Sequence, residues 1–297
     1  MAVRRPATEP LCRVVRFEAT DEVPLAGLLY EPKRATKQAA VFLHGTGGAS
    51  VFEARRTNLL GEAFARSGIA FFPFNNRGAH LMRRMGRVLG GMAYERIRDC
   101  VPDIDGAIRE LWRRCYREIT LIGHSTGANK VAVYDARKPR NRAKRYVLLA
   151  GGDDTGMLYD QLGARKFASA LKEAREKKNS EDFVPRALSS LPMTWRAWYD
   201  MANPDGDYNV FPFLEVMRNV RLSRRTRFRH VKSIRKPALV LYGENDEYMY
   251  GDVSRCVSIL ADVAGPNCEL AIVQDADHGF GGKEEELAAL IIDWIRR

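Results

Sequence analysis

The stretch ITLIGHSTG, residues 119–127, decides the fold, because it joins a short apolar strand to a helical segment through one sharp turn. Its last five residues follow the pattern G-x-S-x-G, with Ser125 at the centre. Such a turn forces the serine into a strained backbone conformation, and the flanking glycines lack side chains that would clash. The pattern predicts that the Ser125 hydroxyl lies exposed at a helix N-terminus, where partial positive charge favours a developing anion.

Short apolar strands alternate with helices on both sides of this turn. Two extended segments at the start of the chain, joined by a turn, predict an antiparallel edge. Strands are predicted at residues 13–18, 25–30, 39–43, 69–73, 119–122, 146–150, 238–242 and 269–273, and helices at 52–66, 95–114, 125–137 and 284–296. This order predicts an α/β fold with a mainly parallel central sheet and helices on both faces. Ligands then bind at the carboxyl ends of the strands.

The alternation stops between residues 153 and 236, which are rich in charged and aromatic residues and contain no convincing strand. We interpret this segment as a helical cap inserted into a core domain of residues 1–152 and 237–297, with peripheral helices as the alternative. Helices are predicted at 171–178 and 185–201. The aromatic residues of the cap either line a substrate pocket or pack as its own small core. The pocket candidates are Trp195, Trp198, Tyr199 and Phe211.

A serine hydroxyl becomes a good nucleophile only when a base accepts its proton. The chain has five histidines, of which His278 follows the last predicted strand in the sequence DADHGF. A loop at that place can reach back over the sheet edge to Ser125, so His278 is the predicted base. His124 is held in the turn beside the serine, and His230 is predicted to lie at the surface of the basic cap segment.

The imidazole of the base needs a carboxylate that fixes its tautomer and stabilises its charged form. Asp246 ends the sequence GEND just after a predicted strand, at the expected sheet edge. It is the predicted acid of a Ser-His-Asp triad. The neighbouring acids Glu244, Glu247 and Asp252 are alternatives.

The motifs GHSTG, GEND and ADHGF, in the order nucleophile, acid and histidine, resemble those of the α/β-hydrolase superfamily over nearly the whole chain except the cap. The resemblance implies an α/β-hydrolase fold. It also implies an oxyanion hole made by the backbone N–H groups of Thr126 and Thr46, with His44 supporting the loop. Arg77, in the turn NNRG, resembles an arginine that supports nearby loops by hydrogen bonds. GHSTG itself is also similar to the motif of fungal siderophore esterases and their bacterial relatives.

These features predict a serine hydrolase that cleaves a small-molecule carboxylic ester through an acyl-enzyme on Ser125. Thioesterase, lactonase, C–C bond hydrolase and perhydrolase activities use the same triad and remain alternatives. A non-catalytic binding protein on this scaffold usually lacks a triad member, and none is missing here. The glycines of residues 86–91 follow no predicted strand, so a nucleotide cofactor is not indicated. The predicted reaction requires neither a cofactor nor a metal ion.

The formal net charge is +11, with Lys and Arg clustered at residues 83–87, 137–145, 172–178 and 221–236. Solvated helix faces explain such clusters, and attraction of an anionic substrate or an acidic membrane surface is the alternative. No recognition motif accompanies the charge, so nucleic-acid binding is not predicted. Five scattered cysteines and the lack of a secretory signal or a membrane-spanning apolar run predict a cytoplasmic protein. The sequence does not indicate the oligomeric state.

Overall fold

A computed structural model describes residues 10–47 and 49–297 of the chain. Its ten strands are β1 Leu11–Glu18, β2 Pro24–Glu31, β3 Gln38–Leu43, β4 Ala70–Asn75, β5 Arg83–Met85, β6 Val88–Gly90, β7 Glu118–His124, β8 Ala143–Leu149, β9 Ala238–Gly243 and β10 Cys268–Val273. Eight of them form one sheet in the order β1-β2-β4-β3-β7-β8-β9-β10, while β5 and β6 form a separate hairpin. Within the sheet β2 is antiparallel to both of its neighbours, and the other pairs are parallel.

The described residues also form ten α-helices. They are α1 Arg55–Arg66, α2 Cys100–Arg113, α3 Thr126–Arg137, α4 Asp154–Leu162, α5 Ala164–Glu176, α6 Trp195–Ala202, α7 Phe213–Met217, α8 Arg229–Ser233, α9 Val253–Ala261 and α10 Glu284–Arg296. Helix α1 packs against α10 and β4, and helix α3 packs against α2, β7 and β8. Strands β4 and β9 are buried at every residue, as expected for strands covered on both faces. The predicted α/β fold is therefore confirmed.

The register of the parallel strands aligns their carboxyl ends at one edge of the sheet. Leu43 pairs with Gly123, His124 pairs with Leu149, and Gly243 pairs with Val273. Because parallel neighbours end together, the loops after β3, β7, β8, β9 and β10 emerge side by side. This alignment positions the candidate site.

The helix boundaries differ from the prediction in the segment between β8 and β9. The helix predicted for residues 185–201 forms only at Trp195–Ala202. Pro192 restricts the chain just before it, and the side chain of Thr194 accepts a hydrogen bond from the N–H of Ala197, which starts the helix there. Helices α4, α7, α8 and α9 and the β5–β6 hairpin were absent from the sequence prediction.

The segment between β8 and β9 contributes to two apolar clusters. Helices α4 to α6 build a small cluster around Trp198, which Met92 joins from outside the segment. Phe211, Phe213 and Phe228, further along, belong to the main core, and α8 packs on α3. The division into a core of residues 1–152 and 237–297 and a cap of 153–236 stays a prediction.

His230 is buried, which corrects the expectation that it lies at the surface. Its side chain is 3% exposed, and its Nε2 lies 3.2 Å from Oδ1 of Asp207. Because α8 packs on α3, the same carboxylate also accepts a hydrogen bond from Arg137 at 2.8 Å. Burial lowers the pKa of His230, so the ring is neutral at pH 7.

Candidate active site

Ser125 occupies a strained turn between β7 and α3. Its backbone has φ +57° and ψ −131°, and its N–H donates to the carbonyl of Leu149 at 2.8 Å. A Cβ atom on Gly123 would lie 2.1 Å from the carbonyl oxygen of Gly127. Only glycine fits at position 123, so the motif pattern has a steric origin. The turn projects the serine from the sheet edge at the start of the helix.

His278 lies in the loop after β10 and contacts the carboxylate of Asp246 in the loop after β9. The ring atom Nδ1 is 3.0 Å from both Oδ1 and Oδ2 of Asp246, which is only 2% exposed. The backbone N–H of Tyr248 donates to Oδ1 at 3.0 Å, and the Tyr248 ring packs edge-on against the imidazole, 4.6 Å between centroids. This arrangement keeps a proton on Nδ1 and leaves the lone pair on Nε2.

The three alternative acids are engaged elsewhere. Glu244 accepts a backbone N–H at 2.9 Å, and Glu247 accepts the backbone N–H of His278 at 3.1 Å. Asp252 caps helix α9. Among these acids, Asp246 is the one whose carboxylate contacts the imidazole.

Ser125 and His278 line one cleft of about 420 Å³. The loop after β3 passes close to the serine, since a Cβ atom on Gly45 would lie 2.9 Å from the Ser125 Cβ. Thr46 lines the same cleft, and Thr126 is the first residue of α3. The two residues expected to supply oxyanion donors therefore flank Ser125. The large apolar side chains of the wall include Phe42, Val51, Met157 and Leu191.

Arg56 and His124 hold the loop that carries His278. The Arg56 guanidinium donates from Nη1 to the carbonyl oxygen of Gly279, and its Nη2 lies 3.2 Å from Nδ1 of His124. Nε2 of His124 lies 2.8 Å from the carbonyl oxygen of His278. Burial, followed by the charge of Arg56, lowers the pKa of His124 well below its usual value. The neutral ring thus accepts at Nδ1 and donates at Nε2, so Arg56, His124 and the loop form one hydrogen-bonded clamp.

A family model described as the alpha/beta hydrolase family matches residues 40–290 of this sequence. The chain belongs to the alpha/beta hydrolase family. The match spans the Ser125 turn and the loops of Asp246 and His278. It confirms the resemblance drawn from the three motifs and supports a hydrolase. A search of curated proteins finds no match.

Solved structures of similar fold include esterases. Est1E from Butyrivibrio proteoclasticus superposes with a TM-score of 0.59 at 16% identity, over 95% of this chain and 97% of Est1E. Another structure of Est1E contains bound ferulic acid. The Pyrococcus furiosus esterase Pf2001 has a TM-score of 0.59 at 16% identity, over 97% and 91% of the two chains. A hypothetical protein from Pseudomonas aeruginosa, PA2218, reaches 0.65 at 16% identity, over 98% and 95%. At such identities the likeness shows the fold.

The four aromatic pocket candidates lie away from the cleft wall of this alpha/beta hydrolase. Trp195 and Trp198 pack edge-on, 6.3 Å between centroids, in the α4–α6 cluster, and Tyr199 packs against that cluster. Phe211 lies in the main core, where its ring fills the space beside Gly151. Their apolar side chains are buried against other apolar side chains, which agrees with the alternative expectation that these aromatic residues pack in a core. The segment between β8 and β9 instead lines the cleft with Asp154, Met157 and Leu191.

Asp154 is a cleft residue that the sequence reasoning missed. Asp154 follows the end of β8, as Asp246 follows the end of β9, so both lie at the same edge of the sheet. The rule that strand ends carry the site could therefore have found it. Burial raises the pKa of Asp154 to about 6, and the charges of His278 and Lys130 oppose this shift. Its ionisation therefore changes near neutral pH, inside the cleft.

Two further predicted residues have supporting positions. Nδ1 of His44 lies 2.7 Å from the carbonyl of Gly45, and burial lowers the pKa of His44 to about 3, so the neutral ring buttresses its loop. Arg77 donates to Asp103 through Nε at 2.9 Å and to Asp21 through Nη2 at 2.8 Å. It thus supports loops as expected and does not line the cleft.

Within residues 10–47 and 49–297, no group of three or more His, Cys, Asp or Glu side chains could hold a metal ion. In the same part of the chain, no helix combines the length and apolar character needed to cross a bilayer. The expectations of a metal-free, cofactor-free reaction and a cytoplasmic location stay predictions.

Proposed function

We propose that this alpha/beta hydrolase cleaves carboxylic esters through an acyl-enzyme on Ser125, with His278 as base and Asp246 as its partner. The observation that carries the proposal is the bidentate approach of the Asp246 carboxylate to His278 Nδ1, at the wall of the cleft that also contains Ser125. A base with its proton fixed on Nδ1 has its other nitrogen free to accept the serine proton.

In the proposed first stage, the Ser125 Oγ attacks the ester carbonyl carbon while its proton moves to Nε2 of His278. The resulting oxyanion receives hydrogen bonds from the N–H groups of Thr46 and Thr126. Donors of this kind stabilise a transition state by roughly 3–4 kcal/mol each. The intermediate then collapses, the C–O bond to the alcohol breaks, and His278 returns the proton to the leaving alcohol.

In the second stage, water attacks the acyl-enzyme and gives one proton to His278. Collapse breaks the bond between the acyl carbon and Oγ, and the proton returns to Ser125. The acid leaves, and the enzyme is restored. The chemistry uses water as its second substrate.

The cleft wall and the neighbours support a small-molecule ester. Met157 and Leu191 add apolar surface from the inserted segment, which suits an apolar acyl or alcohol group. Pf2001, a neighbour of this fold, is an esterase by name, and Est1E, another neighbour, has been seen with ferulic acid. Arg56 and Asp154 put opposite charges on the cleft wall. The anionic substrate suggested by the positive net charge of the protein therefore stays a prediction.

The decisive experiment is labelling by a fluorophosphonate, which reacts with activated serines. We expect one label on the folded protein, at Ser125, and none on the variants Ser125→Ala and His278→Ala. Ser50 also lines the cleft, so Ser50→Ala is the matched control and should keep the label. An unlabelled wild-type protein, or a labelled Ser125→Ala variant, would contradict the proposal. Hydrolysis of p-nitrophenyl esters, a thioester and a lactone by the unlabelled wild-type enzyme then distinguishes which acyl bond is cleaved.

A further inference from the structure

The β5–β6 hairpin concentrates exposed apolar surface. Of the eleven large apolar side chains exposed in the described part of the chain, four lie within residues 81–89. They are Leu81 at 39%, Met82 at 54%, Val88 at 43% and Leu89 at 40% exposure. Single exposed apolar residues are ordinary, whereas four within one short hairpin indicate an interaction site. We call residues 81–91 the basic hairpin.

The same hairpin is strongly cationic. Arg83, Arg84 and Arg87 alternate with the aliphatic residues, and the sequence contains no Asp or Glu between residues 75 and 94. Within residues 10–47 and 49–297, none of the three guanidinium groups has a carboxylate oxygen within 4 Å. The ladder places Arg84 opposite Leu89, and both are exposed. The exposed surface of the hairpin thus combines positive charge with aliphatic side chains.

A groove of about 650 Å³ beside the hairpin continues this positive surface. Arg16, Arg83, Arg84 and Arg109 line it, together with two acids and Arg113. One acid, Glu110, is already paired with Arg113 and Arg114 at 2.9 and 2.7 Å. The other is Glu18. The balance of charge along the groove is therefore positive.

We propose that the basic hairpin binds the surface of an anionic phospholipid bilayer. Aliphatic side chains gain free energy by entering the boundary between headgroups and acyl chains, and arginines beside them meet the lipid phosphates. A nucleic acid would satisfy the arginines but would leave Met82, Val88 and Leu89 against a polar backbone. The interleaving of the two residue types favours lipid.

The hairpin is joined to the loop that passes Ser125. The N–H of His80 donates to the carbonyl of Ala49 at 3.1 Å, and the N–H of Gly47 lies 3.3 Å from Sδ of Met92. Residues 80 and 92 flank the hairpin, whose two strands of three residues each rise by about 10 Å. Docking of the hairpin therefore holds the loop beside the cleft near the bilayer. The inference itself stands on surface chemistry and does not depend on the proposed esterase activity.

The test is sedimentation of the full chain with vesicles of phosphatidylcholine alone or of equal parts phosphatidylcholine and phosphatidylglycerol. We expect binding to the anionic vesicles that weakens as salt is added. The variant Arg83→Ser/Arg84→Ser/Arg87→Ser should bind roughly 100-fold more weakly, since each cation near an anionic surface contributes about fivefold to partition. The variant Met82→Ser/Val88→Ser/Leu89→Ser should also lose binding, because it lacks the aliphatic side chains that enter the bilayer boundary.

The matched control removes three arginines elsewhere, with the same change in net charge. Arg165, Arg175 and Arg186 are exposed on the segment between β8 and β9, so their triple Ser variant should bind as wild type does. Melting midpoints establish that all variants are folded. Equal losses in the hairpin and control variants would overturn the proposal, as would failure of the wild type to bind anionic vesicles. Retention of a DNA duplex without vesicle binding would assign the surface to nucleic acid and overturn it as well.

Discussion

Replacing Asp246 by Asn tests the chemistry of the candidate triad with the smallest change of shape. Oδ1 of Asp246 accepts the Tyr248 N–H at 3.0 Å, and both carboxylate oxygens lie 3.0 Å from His278 Nδ1. In the variant, the amide oxygen keeps the Tyr248 N–H, so the amide NH₂ turns toward Nδ1. The imidazole must then accept at Nδ1 and carry its proton on Nε2, which removes the lone pair that Ser125 needs.

We expect kcat of the Asp246→Asn variant to fall by about 10⁴-fold, or about 5.5 kcal/mol, as for a triad histidine in the wrong tautomer. The assay is steady-state hydrolysis of the best p-nitrophenyl ester, with the melting midpoint as a check of folding. Glu247→Gln and Asp252→Asn are matched controls, since both residues bond backbone N–H groups. An Asp246→Asn enzyme within tenfold of wild type, or an equal loss in either control, refutes the reasoning.

Two further substitutions probe the cleft. In Arg56→Met, we expect kcat to fall 10–100-fold with little change in KM, because the loop of the base is displaced while the apolar wall remains; a wild-type kcat would count against the clamp. Asp154 has its pKa raised from 3.8 to about 6, so it costs the folded state almost nothing below pH 3.8; the cost grows as pH rises from 3.8 to 6 and is about 3 kcal/mol above that. Urea denaturation should find Asp154→Asn as stable as wild type at about pH 4 and more stable at about pH 8; a constant difference at both pH values would contradict the shift.

The strands of the central sheet could be predicted closely because their signal is local. Buried parallel strands are short continuous apolar runs, and each run predicted as a strand became a strand of the sheet. The same rule placed Ser125, Asp246 and His278 at one edge, since each follows a strand end. Their catalytic roles stay proposals.

The contacts that hold the site together could not be predicted in this way. Arg56 contacts His124 and Gly279, which are 68 and 223 residues away in the sequence. No local sequence pattern predicts either contact. For the aromatic residues between β8 and β9, burial could be predicted from the sequence but their surroundings could not. Apolar periodicity indicates that a residue such as Trp198 is buried, but not whether it faces a core or a cavity.

The Arg56 clamp also has a consequence for the order of events in refolding. It unites a helix start, the nucleophile turn and a loop near the end of the chain, with separations of 68, 154 and 223 residues. Contacts between such distant segments form late, because closing long loops costs chain entropy before any contact compensates it. Recovery of catalytic turnover after dilution from denaturant therefore reports the final docking of these three distant segments, and it should lag behind the return of helical circular dichroism.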